Sequence, residues 1–292
     1  MRSVYCTPND VSNFLLLQQA IDANSPVSEA TLDSLIVQVE GDFERRTGRA
    51  YKPVFHTEEV HDLESLRSRH KELFDFVTVP RPTGTIYKPI LPLTTTRGHK
   101  LEIYEGSELS GVWSEWLSTK TQGRDKDYWV DEEQGIIYIR KTFIPRRASL
   151  LRITYEHGFL PTQVNDVAGL TVGATTVTVD STKKYGFEGW IRIGKEYIGY
   201  SGKTTTTFTG CERGIFNTEA AAHADDSKVF QVDDYVRHLV IKRAAAMFLE
   251  NEPFIAVSGE GGQGIDRNAA VQRWNEEWNR EVPNTFQRFV LL

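Results

Sequence analysis

The chain has very little cysteine. Cys6 and Cys211 are the only two thiols in 292 residues, and they lie far apart in sequence, in stretches that read as different domains. That spacing excludes a disulfide framework, and neither thiol has companions at the spacing of a zinc site. No apolar run is long enough to cross a bilayer. Met1 to Tyr5 carries no apolar signal core, so a soluble protein made in a reducing cytoplasm is expected. A basic excess is missing too. The 34 Lys and Arg against 40 Asp and Glu leave a net charge of -6, so the chain as a whole has no footprint for gripping phosphates. Arg45-Arg46 and Arg146-Arg147 are short clusters and read as solvated helix-end and turn charges.

What is present supports packed cores. Hydrophobic residues make up 39% and aromatics 11%, which excludes wholesale disorder, and the length suits two or three domains. Thr7 reads as an N-cap, with Pro8 at the first helical position and Asp10 in the first turn. Val11, Phe14, Leu15 and Ile21 follow at helical spacing. Ser28 is a second cap, before a face of Leu32, Leu35, Ile36, Val39 and Phe43. Arg45 and Arg46 suit the C-terminal end of that helix, and Gly48 suits the residue just past it. The short connection predicts a helical hairpin.

From Tyr51 to Gly158 the signals are those of strands. Lys100–Tyr104, Asp127–Val130, Gly135–Ile139 and Leu150–Tyr155 carry them, while Pro80, Pro82, Pro89 and Pro92 exclude a long helix. Residues 62–76 read equally as a short helix or a charged loop. Short alternating runs punctuated by Gly189, Gly194, Gly202 and Gly210 then predict a small barrel or sandwich. Its strands are expected at Thr175–Val179, Trp190–Ile193, Glu196–Tyr200, Thr204–Thr209 and Lys228–Val232. Asp233 or Asp234 caps a helix whose Val236, Leu239, Val240, Arg243, Ala244 and Met247 share a face. Residues 258–264 read as a glycine-rich connector. Asp266 caps a last helix, which carries Val271, Trp274 and Trp278. The expected fold is α+β, a helical framework around β regions. Its parts are a hairpin (1–55), a central β-rich region (56–160), an inserted module (165–232), and C-terminal helices with an apolar tail (233–292), which pack on the hairpin.

No chemistry stands out. Gly259–Gly264 lacks the strand before it and the Lys-Ser/Thr after it that a phosphate loop needs. His56 and His61 are five apart rather than four, and read as surface histidines. Glu156-His157 and His223-Ala-Asp225 sit at turns without a nucleophile. Catalytic, cofactor and metal residues are therefore expected to be none, and the chain is not expected to be an enzyme. Trp274 and Trp278 lie one turn apart, as either a core stripe or a partner anchor. Phe286, Arg288, Phe289, Val290, Leu291 and Leu292 form an apolar tail that either folds back or inserts into a partner. Trp190, Tyr197 and Tyr200 read as module core, with sugar stacking as the alternative.

In this order the elements resemble the head–tail connector (adaptor) proteins of tailed viruses. The likeness rests on Phe43-Glu-Arg-Arg-Thr-Gly-Arg-Ala-Tyr51, on Asp127–Asp131 with Gly135–Tyr138 and Leu151-Arg-Ile-Thr-Tyr-Glu-His-Gly158, and on the helix Val236–Leu249. Residues 168–232 are similar instead to a module inserted in virion structural proteins, through Gly194-Lys-Glu-Tyr-Ile198 and Cys211–Thr218 followed by His223. The resemblance implies a virion protein at the head–tail interface, assembled in the host cytoplasm. It implies a ring of copies, commonly twelve, beneath the portal protein. The ring would extend the DNA channel without binding DNA specifically and would offer a platform to a tail or stopper (completion) protein. It implies no cofactor and no membrane. The C-terminal segment, with Trp274 and Trp278 behind it, is where the portal or a neighbouring copy would be met. A tail-associated or carbohydrate-binding module without a ring is the competing expectation.

Overall fold

The computed structural model describes residues 3–15, 28–62, 76–79, 87–105, 110–124, 126–133, 135–140, 150–251 and 267–285. The fold is α+β, and the chain forms two compact units. One unit joins both ends of the chain, Met1–Thr47 with Pro161–Leu292, and the other is Gly48–Leu160.

In chain order the elements begin with α1 (Pro8–Phe14), α2 (Glu29–Thr47), β1 (Val54–Asp62), β2 (Phe76–Val79), β3 (Lys100–Glu105) and β4 (Val112–Glu115). Next come β5 (Tyr128–Asp131), β6 (Ile136–Arg140), β7 (Leu150–His157), β8 (Thr162–Gln163), β9 (Thr176–Thr178), β10 (Gly189–Ile193) and β11 (Glu196–Tyr200). The last are β12 (Gly202–Lys203), β13 (Thr207–Thr209), β14 (Glu212–Ile215), β15 (Lys228–Phe230), α3 (Asp234–Asn251) and α4 (Arg267–Glu281).

The central unit packs a four-stranded sheet, order β1-β7-β3-β4, and a three-stranded sheet, order β2-β6-β5. Leu101, Ile103, Leu151 and Ile153 share one buried cluster with Trp116, Tyr128, Val130, Ile137 and Ile139. The alternation along β3, β5, β6 and β7 puts these side chains on inner faces. β1 and β4, for which the sequence offered no clear alternation, are strands as well. β1 is broken by a bulge between His56 and Glu59, where Glu58 takes a left-handed φ of 53°. Gly158 closes β7 at φ 103°, and a Cβ there would stand 2.3 Å from the Lys52 carbonyl oxygen. Only glycine fits that approach.

In the other unit the helices form where their caps foretell. Thr7 and Asp10 make a reciprocal capping box at α1. Ser28 accepts from the Thr31 amide before α2, and Asp233 from the Tyr235 and Val236 amides before α3. Gly48 follows α2 at φ 66°. The expected positions of Ile21, of the second half of the first helix, of residues 63–75, of the 258–264 connector and of the Asp266 cap lie outside the described residues. α3 departs from the one-faced helix expected. Arg237, Ile241, Ala245, Ala246, Phe248 and Leu249 are buried along with Val236, Leu239, Val240 and Ala244, while Arg243 and Met247 are only half-buried. The reason is its central place, since α1, α2 and α4 all pack on it.

The inserted module consists of a five-stranded antiparallel sheet, order β14-β11-β10-β15-β8, and a three-stranded one, order β12-β13-β9. Val177, Val179, Ile191, Ile193, Ile198, Phe208 and Val229 make a common core. Among the described residues no closed barrel forms, so the open two-sheet arrangement holds. The module is not a body apart from the helices. Both thiols therefore sit in the same unit, each buried and neither in a disulfide.

Candidate functional site

The tail residues Phe286, Arg288, Phe289, Val290, Leu291 and Leu292 lie outside the described residues. Trp274 and Trp278 are in the helical core, 8% and 2% exposed. Trp274 packs on Phe14 with ring centroids 5.0 Å apart, and Trp278 packs on Phe43 at 6.2 Å while its indole N–H donates to Asp42 at 3.0 Å. Burial of each ring stabilises by roughly 3 kcal/mol. A partner would have to unpack the bundle to reach either. Trp190, Tyr197 and Tyr200 are buried as well, which leaves no stacking platform for a sugar at those three.

The most unusual chemistry lies where the module meets the helices. Arg192, on β10, is 3% exposed, and its guanidinium donates to four carbonyls: Val4 at 2.8 Å, Cys6 at 3.0 Å, Ser3 at 3.1 Å and Gly194 at 2.8 Å. From the other side the fully buried Glu40 carboxylate accepts from the main-chain N–H groups of Val4 at 2.5 Å and Tyr5 at 2.7 Å. Asp33 accepts from the Ser3 amide and hydroxyl, and the Tyr5 hydroxyl donates to Glu44 at 3.2 Å. Residues 3–6 are thus held by their backbone between α2 and β10.

A second group continues the seam. The Tyr197 hydroxyl donates to Asp10 at 2.8 Å, and Arg237 of α3 donates to the same carboxylate at 2.5 Å. The Arg237 guanidinium also lies over the rings of Tyr197, Phe216 and Trp190. Trp190 donates to Asp234 at 2.9 Å. Burial pushes the Tyr197 hydroxyl far above its ordinary range, and the nearby Asp10 charge adds to this. Burial alone would lower Arg237, but Asp10 and Tyr197 outweigh it and hold the guanidinium above its usual value. The Cys6 thiol is pushed up by burial and by the Asp10 and Glu40 charges, and so is kept from ionising. The sequence named Trp190 and Tyr197 only as module core or a sugar platform, and did not place the charged partners around them. The one sequence signal was a charged residue between two isoleucines in Trp190-Ile-Arg-Ile193.

The two motifs that mark the module meet at Glu196, whose side chain is 1% exposed. Arg213 donates to both its oxygens, at 2.6 and 2.8 Å, and His223 approaches at 2.7 Å. The amides of Gly214 and Ala221 complete the shell, and Arg213 also donates to the Thr171 and Ala221 carbonyls. Burial would raise the Glu196 carboxyl, but these donors overcome it and hold the group below the usual range. Thr218 accepts from the Tyr197 amide at 3.1 Å and donates to the Ile215 carbonyl at 2.8 Å. The arrangement ties the 211–223 segment to β11.

In the central unit His56 and His61 are not the surface pair expected. His61 is 6% exposed and lies 3.3 Å from Glu59, which accepts from the Tyr155 hydroxyl at 2.6 Å. His56 meets His157 ring nitrogen to ring nitrogen at 2.9 Å, and Tyr87 stacks on both. Burial, with the His56 neighbour adding to it, drives His157 down to about 3, and burial lowers His56 as well. Both rings are therefore neutral near pH 7. Among the described residues the buried His157 Nε2 and Glu59 Oε1 have no hydrogen-bond partner. Glu156 turns the other way, to Arg97 and His99.

Among the described residues no three His, Cys, Asp or Glu side chains converge as metal ligands would, and no helix is long and apolar enough to cross a membrane. The clusters around Arg192, Asp10 and Glu196 bond to one another and to backbone, which suits holding parts of the chain together. No family model matches the chain, and no curated protein matches it.

Proposed function

We propose that the protein is a virion structural subunit, a head–tail adaptor. In this reading copies form a ring under the portal, extend the DNA channel and present a platform to the next tail component. The observation that carries the reading is the assembly of helices from both ends of the chain. α1 and α2 pack with α3 and α4, and the β module is fastened to them through Arg192 and Asp10. Such a frame is suited to a scaffold role, in which rigid placement of surfaces matters more than a reactive cleft. The Thr47-Gly48 turn and Gly158 support the likeness to head–tail connector proteins. Each residue occupies a position that its conformation requires, the end of α2 and the end of β7. The acidic balance of the chain suits a channel wall over which DNA slides.

Native mass measurement of the purified protein, alone and mixed with portal, tests the proposal. Multiple copies joining a portal-containing particle are expected. A chain that stays monomeric in the mixture overturns it. Burial of Trp190, Tyr197 and Tyr200 weighs against the carbohydrate-binding alternative.

A further inference from the structure

The seam that holds residues 3–6 has the chemistry of a peptide site. Its charged groups bond the main chain of the segment: Glu40 takes two amides, Arg192 three carbonyls, and Asp33 the Ser3 amide together with the Ser3 side-chain hydroxyl. Main-chain recognition of an extended segment, with pockets for its side chains, is how many proteins take a peptide from another chain. The pockets are present here too. Tyr5 and Cys6 are fully buried and Val4 nearly so. Tyr5 meets Phe43 edge-on, with centroids 5.6 Å apart. Below them Thr7 opens α1, and Asp10 engages Tyr197 and Arg237. An apolar core left empty would collapse or stay as a costly void. A groove walled by Glu40, Asp33 and Arg192 can instead rehydrate when its segment leaves.

We propose that this groove is a peptide-binding site, filled in cis by residues 3–14, and that its second occupant is the same segment of a neighbouring copy of this chain. The inference rests on the reading of the protein as a ring subunit, which supplies the neighbour. Exchange of an identical element keeps every hydrogen bond of the cis arrangement, so it links copies at little cost in contacts. The groove commits the ligand to a short β-branched–aromatic–small stretch followed by a helix start. The matching sequence is Val4-Tyr-Cys6 before Thr7-Pro8.

Two full-length variants test it. Tyr5→Ala spoils the segment but leaves the groove, and Arg192→Met spoils the groove but leaves the segment. When the two are mixed, the intact segment of the Arg192→Met chain enters the intact groove of the Tyr5→Ala chain. Hydrogen exchange at the Val4 and Tyr5 amides of the Arg192→Met chain should then slow by about tenfold or more relative to that variant alone. Native mass spectra should show the mixed species. Unchanged exchange overturns the inference. If either variant does not fold, Tyr5→Leu and Glu40→Gln replace the pair, with the same readout. Rings on the portal without exchange would sink this inference alone. Exchange without rings would sink the adaptor reading and leave the peptide site standing.

Discussion

Replacing Asp10 by asparagine tests the seam between module and helices most directly. The Asp10 carboxylate accepts from Tyr197, from Arg237, and from the amide and hydroxyl of Thr7. Its side chain is 3% exposed and that of Arg237 is 7%. The substituted asparagine keeps the shape but removes the charge, which leaves a guanidinium in a site shielded from water. Breaking a buried pair from one side costs roughly 3–5 kcal/mol, because the remaining charge is uncompensated. Asp10 stands at N3 of α1 behind the Thr7 cap, where the asparagine Oδ1 still accepts from the Thr7 amide, so the capping box is weakened rather than lost. Urea unfolding followed by tryptophan emission should show the loss as a lower midpoint with an unchanged slope. In thermal unfolding the same loss is about 6–20 °C for a unit of this size. Arg237→Met in the Asp10→Asn background should recover part of it, since two neutral groups replace an orphaned ion. A loss below about 1 kcal/mol for Asp10→Asn would mean that Arg237 finds water or another anion, and that the pair does not hold the seam.

The His56–His157 pair makes the central unit sensitive to acid. The folded value of His157 is depressed to about 3, so its contribution is complete above the ordinary histidine value and is lost as pH falls from about 6.5 toward 3. Urea midpoints at pH 7, 5 and 4 should fall, and fall less steeply in His157→Gln; equal slopes would contradict this. Glu196→Gln weakens the hold on Arg213 and His223 and should cost roughly 2–3 kcal/mol, with faster amide exchange confined at first to residues 211–223. Gly158→Ala places a methyl against the Lys52 carbonyl at a φ that alanine avoids, and the thermal midpoint should drop by several degrees. Deleting Phe286–Leu292 should leave thermal stability nearly unchanged while weakening portal attachment in a pull-down. A large stability loss would assign the tail to the chain's own core.

The α+β class and many element positions were legible from local signals. Caps at Thr7, Ser28 and Asp233 and the glycine at 48 work within a few residues, so their chemistry can be read along the chain. β9, β10, β11 and β15 of the module showed the same transparency, because alternation records which face is buried, whereas β8, β12 and β14 were too short to carry a pattern and the strand expected at Thr204–Thr209 is only Thr207–Thr209. β1 gave no such record. Its bulge at Thr57 and Glu58 breaks the period, and its histidines looked like surface residues. The sequence also left Trp274 and Trp278 open between core and anchor, since one apolar helix face serves both uses. Phe14, Phe43 and Asp42 place both rings inside.

Local signals along the chain are enough to say where helices start, which strands alternate, and that no cysteine framework holds the fold. Long-range packing is what brings Arg192 to the carbonyls of Ser3, Val4 and Cys6, and what makes Asp10 join α1 to β11 and α3. The partners in each case are more than 180 residues apart in sequence. A carboxylate in a first turn or an arginine in a strand is ordinary in one dimension. Burial turns each into a requirement for a partner, and burial exists only once distant segments have packed.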